Sequence, residues 1–348
     1  MHTDSHRRVF RIARICLAAG IVASGVHGAL AQDLKPVTVE NYARAETDHY
    51  FAAKVKVGAF GKFVHRREPT RVEEQNVVRM NRDTLMSLAV FDLDAGPVTI
   101  TLPDPGGRLM SMQVVNEDHY TPLQTYAPGQ QVLTRENVGT RYVMVGVRTL
   151  IDPQDPKDVA QAHVLQDALK VHQEHGGTFD VPNWDQKSLT EVRNSLLALA
   201  STVPDTRRMF GAKSEVDPIR HLLGTAMGWG GSPEKDALYL NVTPGRNDGT
   251  TTYRLSVKDV PVDGFWSVTV YNEKGYFEPN KLGAYSLNNI TARKSANGAI
   301  NIQFGGCDGK LPNCLPTMKG WNYMVRLYRP RAEILTGKWS FPEAEPVQ

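Results

Sequence analysis

Trp266-Ser267-Val268-Thr269-Val270-Tyr271 decides the fold: Trp266, Val268 and Val270 fall on one side of an extended chain, and Ser267, Thr269 and Tyr271 on the other. The same period of two runs through Tyr323–Tyr328, where Tyr323, Val325 and Leu327 alternate with Met324, Arg326 and Tyr328. Around these two segments lie further short runs at Ala237–Val242, Tyr253–Val257 and Ile300–Phe304. Toward the N-terminus come Leu85–Phe91, Val98–Leu102, Leu109–Val115 and Arg141–Arg148, and in the third of these Met110, Met112 and Val114 alternate with Ser111 and Gln113. Asp104-Pro105-Gly106-Gly107 reads as a turn, since Pro fixes one dihedral and Gly supplies a positive φ. Regular short strands of this kind predict a mainly β chain, α+β overall, built from two antiparallel β-sandwich or jelly-roll-like domains.

Helical signals interrupt the strands. Tyr42, Ala45, His49, Ala52, Ala53 and Lys56 suggest one amphipathic helix between residues 37 and 63. A second helical stretch is expected from Pro156 to His175, ending at Gly176-Gly177, and a third from Trp184 to Thr202, with Leu189, Val192, Leu196, Leu197 and Leu199 on its apolar stripe. The organisation read from this is a signal peptide at 1–31, an N-terminal β-rich domain at 32–155, a helical insert or linker at 156–220 and a C-terminal β-sandwich domain at 221–348.

Of the 348 residues, 40 are Lys or Arg and 37 Asp or Glu, with 41% hydrophobic residues, 29 Gly and 21 Pro. That excludes a long coiled coil, a disordered polyelectrolyte and a polytopic membrane protein. Arg7, Arg8, Arg11 and Arg14 precede an apolar stretch from Ile15 to Val26 and a small-x-small site at Ala29-Leu30-Ala31, the layout of an export signal cleaved after Ala31. Sec export is expected, with a partial twin-arginine pattern at Arg7-Arg8, and so is a periplasmic or secreted product. Cleavage removes four basic residues and one acidic residue, leaving 36 of each. A neutral chain gives no electrostatic case for nucleic acid or for an anionic membrane. The two remaining cysteines, Cys307 and Cys314, are expected to form a disulfide, which suits an exported chain.

Several stretches support a family resemblance. Asn81-Arg82-Asp83-Thr84-Leu85, Phe91-Asp92-Leu93, the run from Val98 to Asp104, and Gly107-Arg108 resemble the first domain of exported bacterial proteins that carry domains of unknown function 1254 and 1214. Asp263-Gly264-Phe265-Trp266, Tyr285-Ser286-Leu287, Trp321-Asn322-Tyr323, Leu327-Tyr328-Arg329-Pro330 and Gly337-Lys338-Trp339 are similar to the second. The resemblance spans nearly all of the mature chain. It implies two β-rich domains side by side, with no established reaction attached to either.

The sequence offers two candidate sites. Asn116-Glu117-Asp118-His119-Tyr120 leaves the strand ending at Val115; Glu117 or Asp118 beside His119 would form an acid–base pair, with Asn116 and Tyr120 as ligand contacts. An ordinary charged loop is the alternative. In Arg79-Met80-Asn81-Arg82-Asp83-Thr84, alternation would put Arg79, Asn81 and Asp83 on one face, where Arg79 could hold an anion and Asp83 and Asn81 orient it. A buried structural network competes equally there. Trp229 between glycines is a candidate ring for a flat ligand, with packing as its alternative. His163, His172 and His175 do not gather on one helix face, so no metal is expected, and no cofactor fingerprint is present. Ser232-Pro233-Glu234-Lys235 has a Ser-x-x-Lys spacing but reads better as a helix cap.

Two functions follow from these readings. One is a hydrolase or lyase acting on a small or oligomeric polar substrate, with Asp83, Glu117 and His119 in a cleft between the domains. The other is a noncatalytic periplasmic ligand-binding or envelope protein using the same cleft, for a small-molecule or oligosaccharide-like ligand. The sequence does not choose between enzyme and binder, and it carries no sign of an oligomeric state.

Overall fold

The computed structural model describes residues 34–347 apart from 76, 77 and 204. The expected export signal and its expected cleavage site lie outside the described residues. In the N-terminal half the elements are α1 (Tyr42–Lys56), β1 (Val64–His65), β2 (Thr84–Asp92), β3 (Val98–Leu102), β4 (Met110–Asn116), β5 (Leu123–Tyr126), β6 (Gly129–Leu133), α2 (Arg135–Val138) and β7 (Tyr142–Leu150). Then come α3 (Pro156–Asp167), β8 (Lys170–His172), α4 (Gln186–Ala200) and α5 (Pro218–Gly228). The C-terminal half contains β9 (Ala237–Val242), β10 (Tyr253–Val257), β11 (Trp266–Tyr271), β12 (Ser286–Asn288), β13 (Ile300–Phe304), β14 (Cys314–Leu315), β15 (Asn322–Tyr328), α6 (Ala332–Leu335) and β16 (Glu345–Pro346). The fold is mostly β, and its strand pairs are antiparallel except β13 with β14, which run parallel.

Two pairs of sheets each enclose a core. A five-stranded sheet ordered β1-β2-β7-β4-β5 faces a three-stranded sheet, β6-β3-β8. The alternating apolar positions meet between them: Phe91, Val98, Ile100, Met112, Val114, Val143, Val145 and Val147 are all buried there. In the C-terminal half the sheet β12-β11-β15-β9 packs on β14-β13-β10-β16. Trp266, Val268, Val270, Tyr323, Val325 and Leu327 point inward onto Leu255, Ile302, Phe304 and Trp321. The period-two reading of β11 and β15 therefore describes one buried core face, as expected of a sandwich.

The second face of β11 and β15 is buried as well. It carries Ser267, Thr269, Tyr271, Arg326 and Tyr328, and it is covered by the chain entering β2 and by the end of β7. There Leu150 packs with Ala237, Phe265 and Tyr328. This contact between the N-terminal and C-terminal sheets is the seam. Away from it, α1 lies on the outer face of β2 and β7, where Phe51 meets Val90, Tyr142 and Met144. Its other side packs against α4 and α5.

Two local expectations are corrected. The helix from Pro156 stops at Asp167, and Lys170–His172 instead pairs with Thr99–Thr101 as an edge strand. The three histidines thus never share a helix. Ser232-Pro233-Glu234-Lys235 is a turn and caps no helix, with the Asp236 and Ala237 amides donating to the Pro233 carbonyl. Cys307 and Cys314 are joined in a disulfide. Because the bridge closes a short loop of the unfolded chain, replacing both cysteines with Ser should cost about 2–3 kcal/mol in urea unfolding while the far-UV circular dichroism of the native state stays unchanged. A midpoint equal to wild type under oxidising conditions would refute this.

Candidate functional site

The seam is built by the segment from Arg79 to Thr84, which crosses the outward face of β11, β12 and β15. Arg79 has a positive φ of 54°, so the segment is not regularly extended and its side chains spread over several partners. The Arg79 guanidinium donates to Asn322 Oδ1 at 2.9 Å and lies over the Tyr271 ring. Its carbonyl accepts from Arg326 at 2.7 Å. Asn81 donates to the Tyr328 hydroxyl at 2.8 Å and accepts from the Asp83 amide at 2.6 Å. Arg82 donates to the Thr70 carbonyl and lies over the Tyr285 ring. From β7, Arg148 donates to Thr84 Oγ1 at 2.9 Å and lies over the Tyr328 ring.

Asp83 and Arg326 are the deepest charges of the seam, 1% and 3% exposed. Asp83 accepts from Asn288 at 3.1 Å, while its other carboxylate oxygen and Ser267 Oγ are buried without a partner in hydrogen-bond geometry. Burial pushes the Asp83 carboxyl up, against the pull of Arg326 and Asn288. Burial alone would push Arg326 down, but Tyr271 and Tyr328, with Asp83 beyond them, more than offset it and hold the guanidinium charged. Its hydrogen bonds to Thr269 Oγ1 and the Tyr271 hydroxyl, at 2.9 and 2.7 Å, add to the one it gives the Arg79 carbonyl. Arg79 and Arg82 are lowered, first by burial. None of Arg79, Arg82 and Arg148 forms an ion pair with a carboxylate among the described residues.

The loop from Asn116 to Tyr120 folds on itself at the far end of β4. Asn116 Oδ1 accepts from the Asp118 and Tyr120 amides at 3.1 and 3.0 Å, and its amide nitrogen donates to the Val138 carbonyl. His119 is 2% exposed. The Gly230 amide donates to its Nε2 at 2.8 Å, so the ring proton sits on Nδ1 and faces Thr225 Oγ1 at 2.8 Å. Thr225 in turn donates to the His221 carbonyl. Burial, and then His221, hold the His119 imidazole well below the ordinary histidine range. Both nitrogens are occupied by the protein.

His119 belongs to a column of five rings. Tyr120 stacks on His221 at 4.4 Å, His221 on His119 at 5.5 Å, His119 on Trp229 at 5.4 Å and Trp229 on Tyr50 at 4.4 Å. The Trp229 indole also donates to Thr47 Oγ1 at 3.1 Å and meets the Phe51 ring edge-on, so four neighbours engage it. Glu117 accepts from the Tyr142 amide at 2.9 Å and faces Arg44 at 3.5 Å, while Arg44 clasps Asp118. Burial raises the Glu117 carboxyl. Beside this cluster Asp48 of α1 accepts from the Trp184 indole at 2.8 Å, with its other oxygen buried and unpartnered.

The sequence candidates therefore separate into two places. Thr84 pairs with Leu150 at one end of β7 and Asn116 with Val143 at the other, seven residues or roughly 23 Å apart along the strand. Asp83 does not share a pocket with Glu117 and His119, and the cleft expected to hold all three is not formed. What the structure adds to Arg79, Asn81 and Asp83 is Arg148, Arg326, Tyr271 and Tyr328. These come from strands read in the sequence only as core-filling, and their polar alternate positions were the available signal.

Residues 60–132 match the family model described as protein of unknown function DUF1254, and residues 240–332 match that described as protein of unknown function DUF1214. The chain carries both domains, DUF1254 first. The matched segments are shorter than the resemblance read along the sequence, and Arg148, α3, α4, α5 and Trp229 lie between them. The seam joins the two: Arg79, Asn81 and Asp83 of DUF1254 meet Asn322, Tyr328 and Asn288 of DUF1214. No curated protein matches the chain. The structure of the VPA0106 protein from Vibrio parahaemolyticus is similar, with 18% identity and a TM-score of 0.70 over 89% of this chain and 98% of that one. An uncharacterized protein from Burkholderia cenocepacia has 13% identity and a TM-score of 0.50 over 89% and 88%. At these identities the likeness shows the fold.

Asp48 gives the site region a pH signature. Burial pushes its carboxyl up to about 7, opposed by the Trp184 hydrogen bond and reinforced by the charge of Glu117. A carboxyl raised in the folded state binds its proton more tightly there than in the unfolded chain. Its contribution is thus fully present below the ordinary Asp value near 4 and is lost as pH rises toward about 7. Asp48→Asn keeps the acceptor for Trp184 and removes the titration, so the fall in melting temperature between these pH values should be shallower than in wild type. Parallel pH profiles for the two proteins would count against this assignment.

Proposed function

We propose that this protein is a noncatalytic ligand-binding protein that takes a small anionic molecule at the seam. One observation carries the reading: Arg79, Arg82 and Arg148 are half-buried, each lies against a tyrosine ring, and none is paired with a carboxylate among the described residues. Partly desolvated guanidinium groups favour an opposite charge, and their planar forks suit a carboxylate or phosphate. The nearest acid, Asp83, is held toward its neutral form by burial and already serves Asn288.

The same geometry weighs against a hydrolase centred on His119. A general base needs a free nitrogen within reach of a substrate proton, and here Gly230 and Thr225 hold both. Glu117 is committed to the Tyr142 amide and to Arg44. Placement in the periplasm, after export through the signal read at residues 1–31, is part of the proposal and is supported by the disulfide.

The test is a thermal-shift and calorimetric panel of succinate, benzoate and inorganic phosphate against wild type, Arg148→Gln and Arg148→Lys. At least one anion should raise the wild-type melting temperature. Arg148→Gln should weaken its binding by roughly 10–100-fold, the worth of one charge-assisted hydrogen bond, and Arg148→Lys by less. Turnover of an ester, glycoside or phosphate that His119→Ala abolishes would favour the enzyme, and binding that ignores Arg148 would remove the seam as the site.

A further inference from the structure

A groove of about 940 Å³ lies far from the seam, on the solvent face of the sheet β14-β13-β10-β16. The alternation that sends Leu255, Ile300, Ile302 and Phe304 into the core leaves Arg254, Ser256, Asn301 and Gln303 facing out as its floor. They stand as two cross-strand pairs, Arg254 beside Gln303 and Ser256 beside Asn301, roughly 7 Å apart along the strands. Every floor side chain is a hydrogen-bonding group. One wall carries Arg293 and Lys294, and the other the segment from Pro342 to Val347.

The walls are fastened. Asn313 accepts from the Arg293 amide at 2.8 Å and donates to the carbonyls of Arg293 and Asn301 at 2.7 and 3.1 Å, so one side chain ties the cationic wall to the floor strand. Asn313 itself is held one residue before Cys314, whose disulfide to Cys307 fixes the loop. A preformed groove loses less conformational freedom when it binds than a mobile one.

Its charge selects among ligands. Arg254, Arg293 and Lys294 form no ion pair with a carboxylate among the described residues, and Arg254 has only a 3.3 Å hydrogen bond to Gln303. Glu343 and Glu345 line the same groove, and Glu345 stands beside Arg254 in the strand register. Two acids among three cations oppose a dense polyanion such as nucleic acid or polyphosphate, which carries a charge every few ångströms. Amides, hydroxyls and spaced cations suit a chain of hydroxyl groups with an occasional carboxylate.

We propose that this groove is a second binding site, for an acidic oligosaccharide of the uronic-acid type. Because the proposal rests on the groove alone, it stands or falls separately from the seam. The experiment is titration of the full chain with a trimer that carries one galacturonate between two neutral sugars, with maltotriose as the neutral control and inorganic polyphosphate as the dense-charge control. The trimer should bind wild type and Arg148→Gln equally and lose about 10-fold on Arg254→Ser/Arg293→Ser, as expected for losing a charged hydrogen bond. Maltotriose should bind more weakly than the trimer to wild type. Asn313→Ala, which unfastens the wall, should weaken binding while leaving every cation in place. No binding of the trimer, equal binding by the double variant, or tighter binding of polyphosphate would overturn the proposal.

Discussion

A guanidinium buried against the outer face of a β-sheet must be hydrogen-bonded from all sides, and Arg326 imposes that constraint on this protein. Leaving such a charge uncompensated costs several kcal/mol. β11 supplies Thr269 and Tyr271, and the Nη2 that donates to the Tyr271 hydroxyl also reaches across the seam to the carbonyl of Arg79. The N-terminal half is thereby tied to the C-terminal half through backbone atoms that no substitution at Arg79 removes. Around that anchor the segment to Thr84 is laid down residue by residue, and Leu150, Phe265 and Tyr328 close the apolar side of the contact.

The same constraint explains why the seam reads as a site. A sheet face that holds Ser267, Thr269, Tyr271, Arg326 and Tyr328 cannot pack against an ordinary apolar layer without stranding polar groups. It packs instead against a segment rich in Arg and Asn, and the three arginines on its margin remain without carboxylates. At the opposite end of β7 the polar groups take the other route. Asn116, Glu117 and His119 are consumed by amides, a hydroxyl and ring stacking, which fixes the loop against α1 and α5.

Much of this was legible in the sequence where one side of a strand is apolar and the other polar. β9, β10, β11 and β13 coincide with the alternating runs, and β15 differs by one residue. Lys170–His172 was not legible, because a three-residue edge strand has too little pattern to outweigh a neighbouring helix. α1 was legible only faintly, for a physical reason: its buried residues include Glu46, Thr47 and Asp48, so the usual contrast between faces is blurred. The bond from Arg326 to the Arg79 carbonyl could not be read at all. The two residues lie nearly 250 positions apart, and packing across the seam, not spacing along the chain, brings them together.

The strand order β1-β2-β7-β4-β5 also dictates how this sheet can be assembled. β2 and β4 do not pair with each other; each pairs with β7, which arrives between them after the whole of β3, β5 and β6 has been made. Until Tyr142–Leu150 inserts, β2 and the β4–β5 hairpin hold open edges that belong to one missing strand. Such non-local closure is slow compared with hairpin formation, and open edges are sticky while they wait. The nascent N-terminal half thus depends on whatever keeps those edges apart until its central strand arrives.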